Sequence, residues 1–493
     1  MIVAPPKRRN RPKPYALLSP GWRALTVETV AGTDTYRGAG PCFEALERLE
    51  GHALYTVSSP AQMRHTTGAR VWSANAWRGR VTAVRLDGTR VVVRSLRGAL
   101  EGSSDPFGDL ECALGWFGAH GVNPSSLSAM SWSLWRTSLP REVRIGATPR
   151  IGRGALYGGR QGVRDAGRKW SHMVAADLVA AYPHSMACRP YAIGLRRVSS
   201  DTMLDPSVNG IVVGTVAVPS DMPFGPVPTR IAKDMIQFPR GGQVSGSWTW
   251  AEAAYAESLG CEVLVDECYS PTGEVDLFSR WWTVAATGRA LPGNAARLAK
   301  AAANSLWGLF GMRGDDTESI RWADDSGTKP LRVELADRQL PHAWTAHIAA
   351  ETASRVRVRM LAEIYDRADR GTPVHIDTDG MIIRRSAVSD MPDTAEPGEF
   401  RRKTKMKWAD IRAPQVYRYA CPHNCGTMHP GPHYSVAGVP AAAAQRIFDK
   451  VGRLGCSISF TGTDLVLPAH NAQDLDGRKA AVLEARSVMG LMS

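Results

Sequence analysis

No run of about 18 apolar residues occurs in the chain, so no segment is able to cross a bilayer as a helix. The first residues, MIVAPPKRRNRPKP, have no apolar stretch of the kind a secretory leader needs. A cytoplasmic location with no membrane partner is the expectation. Cysteine is sparse, 8 in 493 residues, and Cys42, Cys112, Cys188 and Cys456 lie far apart, which excludes a disulfide framework. Internal repeats are absent. Lysine is scarce as well, with 11 of the 60 basic residues, so most positive charge is guanidinium, the group that pairs with phosphate in two-pronged fashion.

What is present is a globular composition, 44% hydrophobic and 22% charged, on a chain long enough for two or three domains. The net charge of +13 favours a polyanionic partner. Nucleic acid suits it better than membrane, because no amphipathic lysine-rich helix is evident. A merely basic surface is the plainer alternative.

Residues 1–16 read as a basic, proline-rich arm that cannot bury apolar surface. Residues 17–150 mix strand-like runs such as Thr89 to Leu96 with helix-like ones such as Cys42 to Gly51, and read as an α/β domain. A glycine-rich turn, Ala155 to Gly162, separates it from the strand MVAADL. Beyond lie a strand over Gly210 to Pro219 and a helix ending at Gly260.

Three stretches carry the chemistry: DLVAAYP from Asp177, KAAANSLWG from Lys300, and HIDTDG with Asp377 and Asp379. TPVHIDTDGMIIRR predicts two strands joined by an Asp-Thr-Asp-Gly tip, with Gly380 supplying a positive φ. Two carboxylates at one tip repel unless a cation offsets them. Alone, such a tip is more often an ordinary turn, and Asp177 at the end of an apolar run is more often a cap. NAARLAKAAANSLWG predicts a helix opened by Asn294 and closed by Gly308, with Arg297, Lys300, Asn304 and Trp307 on one face and alanine on the other. That face is either a solvated side or a phosphate-binding one. Order and spacing together favour nucleotide polymerisation, which needs carboxylates from separate strands around two cations about 3.5 to 4 Å apart, and fixed positive groups for the triphosphate.

In this order the segments resemble motifs A, B and C of the family B DNA polymerases: Asp-x-x-(Ser)-Leu-Tyr-Pro, Lys-x-x-x-Asn-Ser-x-Tyr-Gly and Tyr-x-Asp-Thr-Asp-Ser. Tyr157-Gly158-Gly159-Arg160 resembles the Tyr-x-Gly-Gly template turn of the protein-primed branch, and SLSAMSWSLWR and YSVAGVP agree with it. The resemblance covers about residues 120 to 445 and implies a DNA polymerase acting on template, primer and deoxynucleotides with two Mg²⁺ or Mn²⁺ ions. It implies Asp177, Asp379 and the backbone of Leu178 as metal ligands, with Asp377 beside them. Tyr182 would select the sugar, and Lys300, Arg297 and Arg289 would hold the triphosphate. Asn304, Trp307 and Gly308 would border the nascent pair, Tyr157 to Arg160 the template, and Tyr417 the primer. A terminal protein as primer is implied by resemblance only.

Departures exist. Trp307 stands for the motif B tyrosine, and His375 and Gly380 for the motif C tyrosine and serine. Gln415-Val416-Tyr417 stands where the family has Lys-x-Tyr, leaving Lys403, Lys405 or Lys407 as substitutes for the lysine. Where a proofreading nuclease would carry Asp-x-Glu there is Thr26-Val27-Glu28-Thr29. The amino-terminal domain therefore reads as a degenerate exonuclease or an unrelated domain. Cys421, Cys425, His429 and His433 could hold one structural Zn²⁺, against a plain proline-rich hairpin loop.

The expected fold is an α/β (α+β) right hand: an exonuclease-like domain over 17–150, palm and fingers over 151–440 with the zinc loop at 421–433, and a small thumb over 441–493. A primer-independent or repair polymerase of the same fold, or an inactive nucleic-acid-binding relative, are the alternatives.

Overall fold

The computed structural model describes residues 14–466 with breaks, the main ones at 57–70, 312–318, 324–329, 335–344, 423–431 and 437–458, within which 445 and 448 alone are described. The basic arm up to residue 13 and most of the expected thumb lie outside the described residues. Two compact units result, Met1–Arg144 with Asp276–Trp344, and Ile145–Val275 with Thr345–Ser493. The span 151–440 is thus shared between both. Among the described residues no helix is long and apolar enough to cross a membrane.

The first unit contains a mixed nine-stranded sheet, in the order Pro330–Glu334, Ser319–Ala323, Val71–Asn75, Arg80–Val84, Arg90–Ser95, Ala53–Thr56, Tyr15–Pro20, Ala24–Thr29, Gly32–Arg37. Ala53–Thr56 runs parallel to both its neighbours and is buried at every position, as a central parallel strand should be. Helix Ala39–Arg48 lays Cys42 and Leu46, one turn apart, against Leu18, Leu25, Val27 and Val93. The same unit holds helices Pro106–Ala119, Leu127–Ser138, Ser279–Thr287 and Ala295–Phe310, the last three joined by an aromatic cluster of Trp132, Trp135, Phe278 and Phe310.

The second unit is built on a seven-stranded antiparallel sheet, in the order His433–Val436, Val416–Ala420, Phe400–Ala413, Lys169–Leu178, Gly380–Arg384, His375–Thr378, Arg160–Val163. Four strand spacings, about 19 Å in a flat sheet, separate Tyr417 from His375, yet their rings are 5.0 Å apart. The sheet is therefore strongly curled, and Met173, Ile382, Met406, Ala409 and Ile411 fill its inner face. A second sheet, of strands Tyr191–Val198, Glu262–Val275, Ile211–Val218 and Gly242–Thr249, is covered by helix Trp250–Ser258. Thr249 caps that helix and Gly260, at φ 89°, ends it. The long helix Ala346–Asp366 packs against it and against Pro149–Gly154 and Ala181–Ala187.

Candidate active site

Alternation along the strands puts the carboxylates together. Met173, Ala175 and Asp177 share one face, as do His375 and Asp377. Asp177 stands opposite Gly380, which stands opposite Asp377, so both carboxylates lie at one end of the curled sheet's inner face. Leu178 N–H donates to the Asp379 carbonyl at 2.8 Å and locks the two motifs. Burial raises the Asp379 carboxyl above its usual range, the charges of Asp177 and Asp377 add to this, and Lys403 works against it.

The hairpin tip differs from expectation in one respect. Thr378, at φ 60°, takes the left-handed conformation, and Gly380 does not. A Cβ at Gly380 would stand 3.4 Å from the Ala176 carbonyl, an ordinary contact, so a serine there would fit. Thr378 can afford its backbone because its neighbours fix it: a Cβ on Gly159 would lie 2.6 Å from Thr378 Cγ2.

That contact joins the Tyr157–Arg160 turn to the carboxylates. Arg160 pairs with Thr378 and Gln161 with Asp377. Tyr157 and Arg160 are buried, at 3% and 2% exposure, while Gly158 faces solvent. Arg160 reaches the Gly225 carbonyl and lies over the Phe238 ring, and burial pulls its pKa down to about 9. Arg357, from the long helix, donates to the carbonyls of Tyr157 and Gly158 at 2.8 and 2.9 Å and pairs with Glu252 at 2.7 Å.

Tyr182 sits on the helix Ala181–Ala187, entered through Ala180 at φ 52°. It is 9% exposed, and burial pushes its hydroxyl pKa up; Arg357 opposes that while Asp379 and Asp377 add to it. Tyr417 is likewise raised by burial, is opposed by a bond to Ser435, and feels Asp377. Against its ring, buried His375 is held well below its usual range. Tyr182, Tyr417 and the Tyr157–Arg160 turn thus all lie near the aspartates.

Phe400–Ala413 adds what the motifs did not reveal. Arg401 is in register with Asp177 and donates Nε to it at 3.2 Å, and Lys403 Nζ approaches its other oxygen at 3.6 Å. Lys405 instead approaches Asp393. In the sequence, basic residues at 401, 403, 405 and 407 look like one solvated strand face, and only the fold distinguishes them. Arg357 had no local signal at all, since its partners are 105 and 200 residues away.

The Lys300 helix belongs to the other unit. It runs Ala295–Phe310, past Gly308 to a cap at Gly311, because Gly308 within a helix leaves the hydrogen-bond ladder intact. Arg297, Lys300 and Asn304 are exposed, Trp307 and Gly308 half-buried, and Leu298, Ala302, Ala303 and Leu306 buried. Asp109 accepts from Asn294 N–H and Nδ2, both at 3.1 Å, fixing the helix entrance. Arg297 donates to Asn294 at 2.9 Å, and Arg289 lies in the short 3₁₀ turn Gly288–Ala290.

Cys425 and His429 of the expected zinc loop lie outside the described residues, as does Gln415. Cys421 is half-buried, and the His433 ring stacks on Tyr419 at 5.0 Å. Among the described residues no three His, Cys, Asp or Glu side chains form a metal-binding group.

No family model matches the chain, and no curated protein sequence matches it. The fold nevertheless has solved counterparts: it is a mixed α/β fold that matches structures of DNA polymerases. Solved structures that it resembles include those of Phi29 DNA polymerase. With primer-template DNA, in a post-translocation binary complex, that polymerase superimposes with a TM-score of 0.64 at 12% identity, over 89% of this chain and 95% of the other. With primer-template DNA and incoming nucleotide the TM-score is 0.64 at 11% identity, over 93% and 99%. With single-stranded DNA it is 0.65 at 12%, over 89% and 95%. Identities this low establish shared fold alone.

Proposed function

We propose that the chain is a DNA polymerase that adds deoxynucleotides to a 3′-hydroxyl on a template. The observation that carries this reading is the convergence of Asp177, near the end of its strand, and Asp379, in the hairpin tip that leads into the neighbouring strand, locked by the Leu178–Asp379 backbone bond. Burial, with the charges of Asp177 and Asp377 adding to it, raises the Asp379 carboxyl, as suits a site meant for cations. The donor set fits Mg²⁺ or Mn²⁺, because such ions are commonly held by one or two carboxylates with substrate phosphates and water completing the shell. Asp177, Asp379 and the Leu178 carbonyl would hold them. When bound, the pair of ions would activate the 3′-hydroxyl and offset charge on the leaving pyrophosphate.

The chain's own residues supply the rest. Tyr182 is buried within electrostatic reach of Asp377 and Asp379, and in this reading its ring excludes a ribose 2′-hydroxyl from the incoming sugar. Exposed Lys300 and Arg297, with Arg289, bind the triphosphate, where fixed positive charge offsets what develops in transfer. Asn304, Trp307 and Gly308 border the nascent pair. The exposed Gly158 backbone offers the template a close approach, with buried Tyr157 and Arg160 as its support. Tyr417, beside Asp377, takes the primer terminus.

The amino-terminal sheet reads as a degenerate exonuclease domain that binds template. Glu28 lies on the second strand of that sheet, its carboxyl raised by burial and by Asp105, and no third carboxylate joins them among the described residues. A terminal protein as primer and a zinc ion at Cys421, Cys425, His429 and His433 are part of the proposal, and elemental analysis decides the zinc. Primer extension with DNA, RNA, terminal-protein and no-primer arms tests the whole. Templated extension of at least one primer without loss of a mismatched 3′ end is expected. Failure of every arm contradicts the reading.

A further inference from the structure

Strand Phe400–Ala413 pairs with the Asp177 strand through Arg401 and Arg402, skips Lys403, and resumes at Thr404. Lys403 is thus the extra residue of a β-bulge. One inserted residue reverses which side chains face which way. Before the bulge Arg401 stands opposite Asp177, and after it Thr404 and Met406 stand opposite Ala175 and Met173 on that same face. Lys405, opposite Val174, is turned away and approaches Asp393 at 3.9 Å. Without the bulge, Lys403 and Lys405 would share Arg401's face. With it, Lys403 alone joins Arg401 at the carboxylate.

We propose that Lys403 is a resident counter-ion of Asp177 that a divalent cation must displace, so that this lysine sets the metal concentration at which the site loads. The inference rests on Asp177 being a metal ligand. Its contact is of the displaceable kind: Nζ lies 3.6 Å from Asp177 Oδ2 and the side chain is 59% exposed, whereas Asp177 is 18% exposed. A flexible ammonium can swing into water as an ion arrives, which a planar guanidinium held in register does less readily. Residue choice agrees. A chain with 11 lysines among 60 basic residues has none between Lys329 and Lys403 and then three within 403–407. Two cations cannot share one carboxylate without repulsion, so lysine and metal compete.

The test is Mn²⁺ binding to the full chain without DNA or nucleotide, read from the paramagnetic resonance of free Mn²⁺, with thermal unfolding as the check on folding. Asp177→Asn defines the component that belongs to the site. For that component Lys403→Met should bind about fivefold more tightly, the scale of an exposed ion pair. Lys403→Arg, which keeps the charge, should bind no more tightly than wild type. Unchanged or weaker binding by Lys403→Met, with the Asp177-dependent component present, overturns the counter-ion role alone. Full binding in Asp177→Asn overturns the metal site itself, and the inference with it.

Discussion

Gly159 and Thr378 are in contact so close that any side chain on the glycine would penetrate the hairpin tip between Asp377 and Asp379, with a Cβ only 2.9 Å from Thr378 Cα. Gly159→Ala should therefore move the tip. Overpacking of this kind costs about 1–3 kcal/mol, a modest loss of stability, while extension should fall at least about tenfold because misplaced catalytic groups are sensitive to small shifts. Unfolding curves beside steady-state extension rates check both. Wild-type rates in a destabilised variant would mean that the tip tolerates displacement.

Arg357 and Glu252, each with 2% of its side chain exposed, form a buried pair whose guanidinium also holds the Tyr157–Arg160 turn. Removing one partner strands the other. Arg357→Met should cost about 3–5 kcal/mol, and Arg357→Met with Glu252→Leu should regain much of that stability. The double variant should still extend primers poorly, because the Tyr157 and Gly158 carbonyls remain without their donor. Restored stability with restored extension would reduce Arg357 to a packing role.

His347 is buried with its ring 2.9 Å from the Ala192 carbonyl, and burial lowers its pKa to about 4, a shift the carbonyl partly opposes. The folded state therefore binds the proton less well than the unfolded chain. This contribution to stability is complete above the unfolded value of about 6.5 and is lost as pH falls toward 4. Melting temperature should drop across that window, and His347→Gln should flatten the drop. An identical slope in the variant would assign acid sensitivity to other groups.

The sequence makes some of this legible and hides the rest for definable reasons. Asp177, Asp377 and Asp379 are readable because strand period and motif order are local patterns, and the strands Lys169–Leu178, His375–Thr378 and Gly380–Arg384 form as those patterns predict. Tip geometry is less readable. The Asp-Thr-Asp-Gly string favours Gly380 for the left-handed residue, but the structure gives it to Thr378, which lies against Gly159. The helix runs past Gly308, which sequence alone marks as its end, since a glycine weakens a helix without ending one that buries Leu306 and Phe310. Arg357 and the bulge at Lys403 depend on pairings far along the chain, and no local signal encodes them.

Tyr182 is expected to act through shape. Tyr182→Val should raise ribonucleotide use relative to deoxynucleotide use by about 10- to 100-fold, the factor that one lost steric clash commonly contributes. Competition between paired nucleotides on one template measures it. Unchanged sugar selection by an active variant would remove Tyr182 from that role.

Single-turnover primer extension by Asp177→Ala and Asp379→Ala, beside wild type and with melting temperatures matched, tests the central claim most directly. Each variant should lose at least about a thousandfold in rate while remaining folded, because each removes a cation ligand and no core contact. Extension by either variant within about tenfold of wild type would contradict the assignment of these two carboxylates as the catalytic pair.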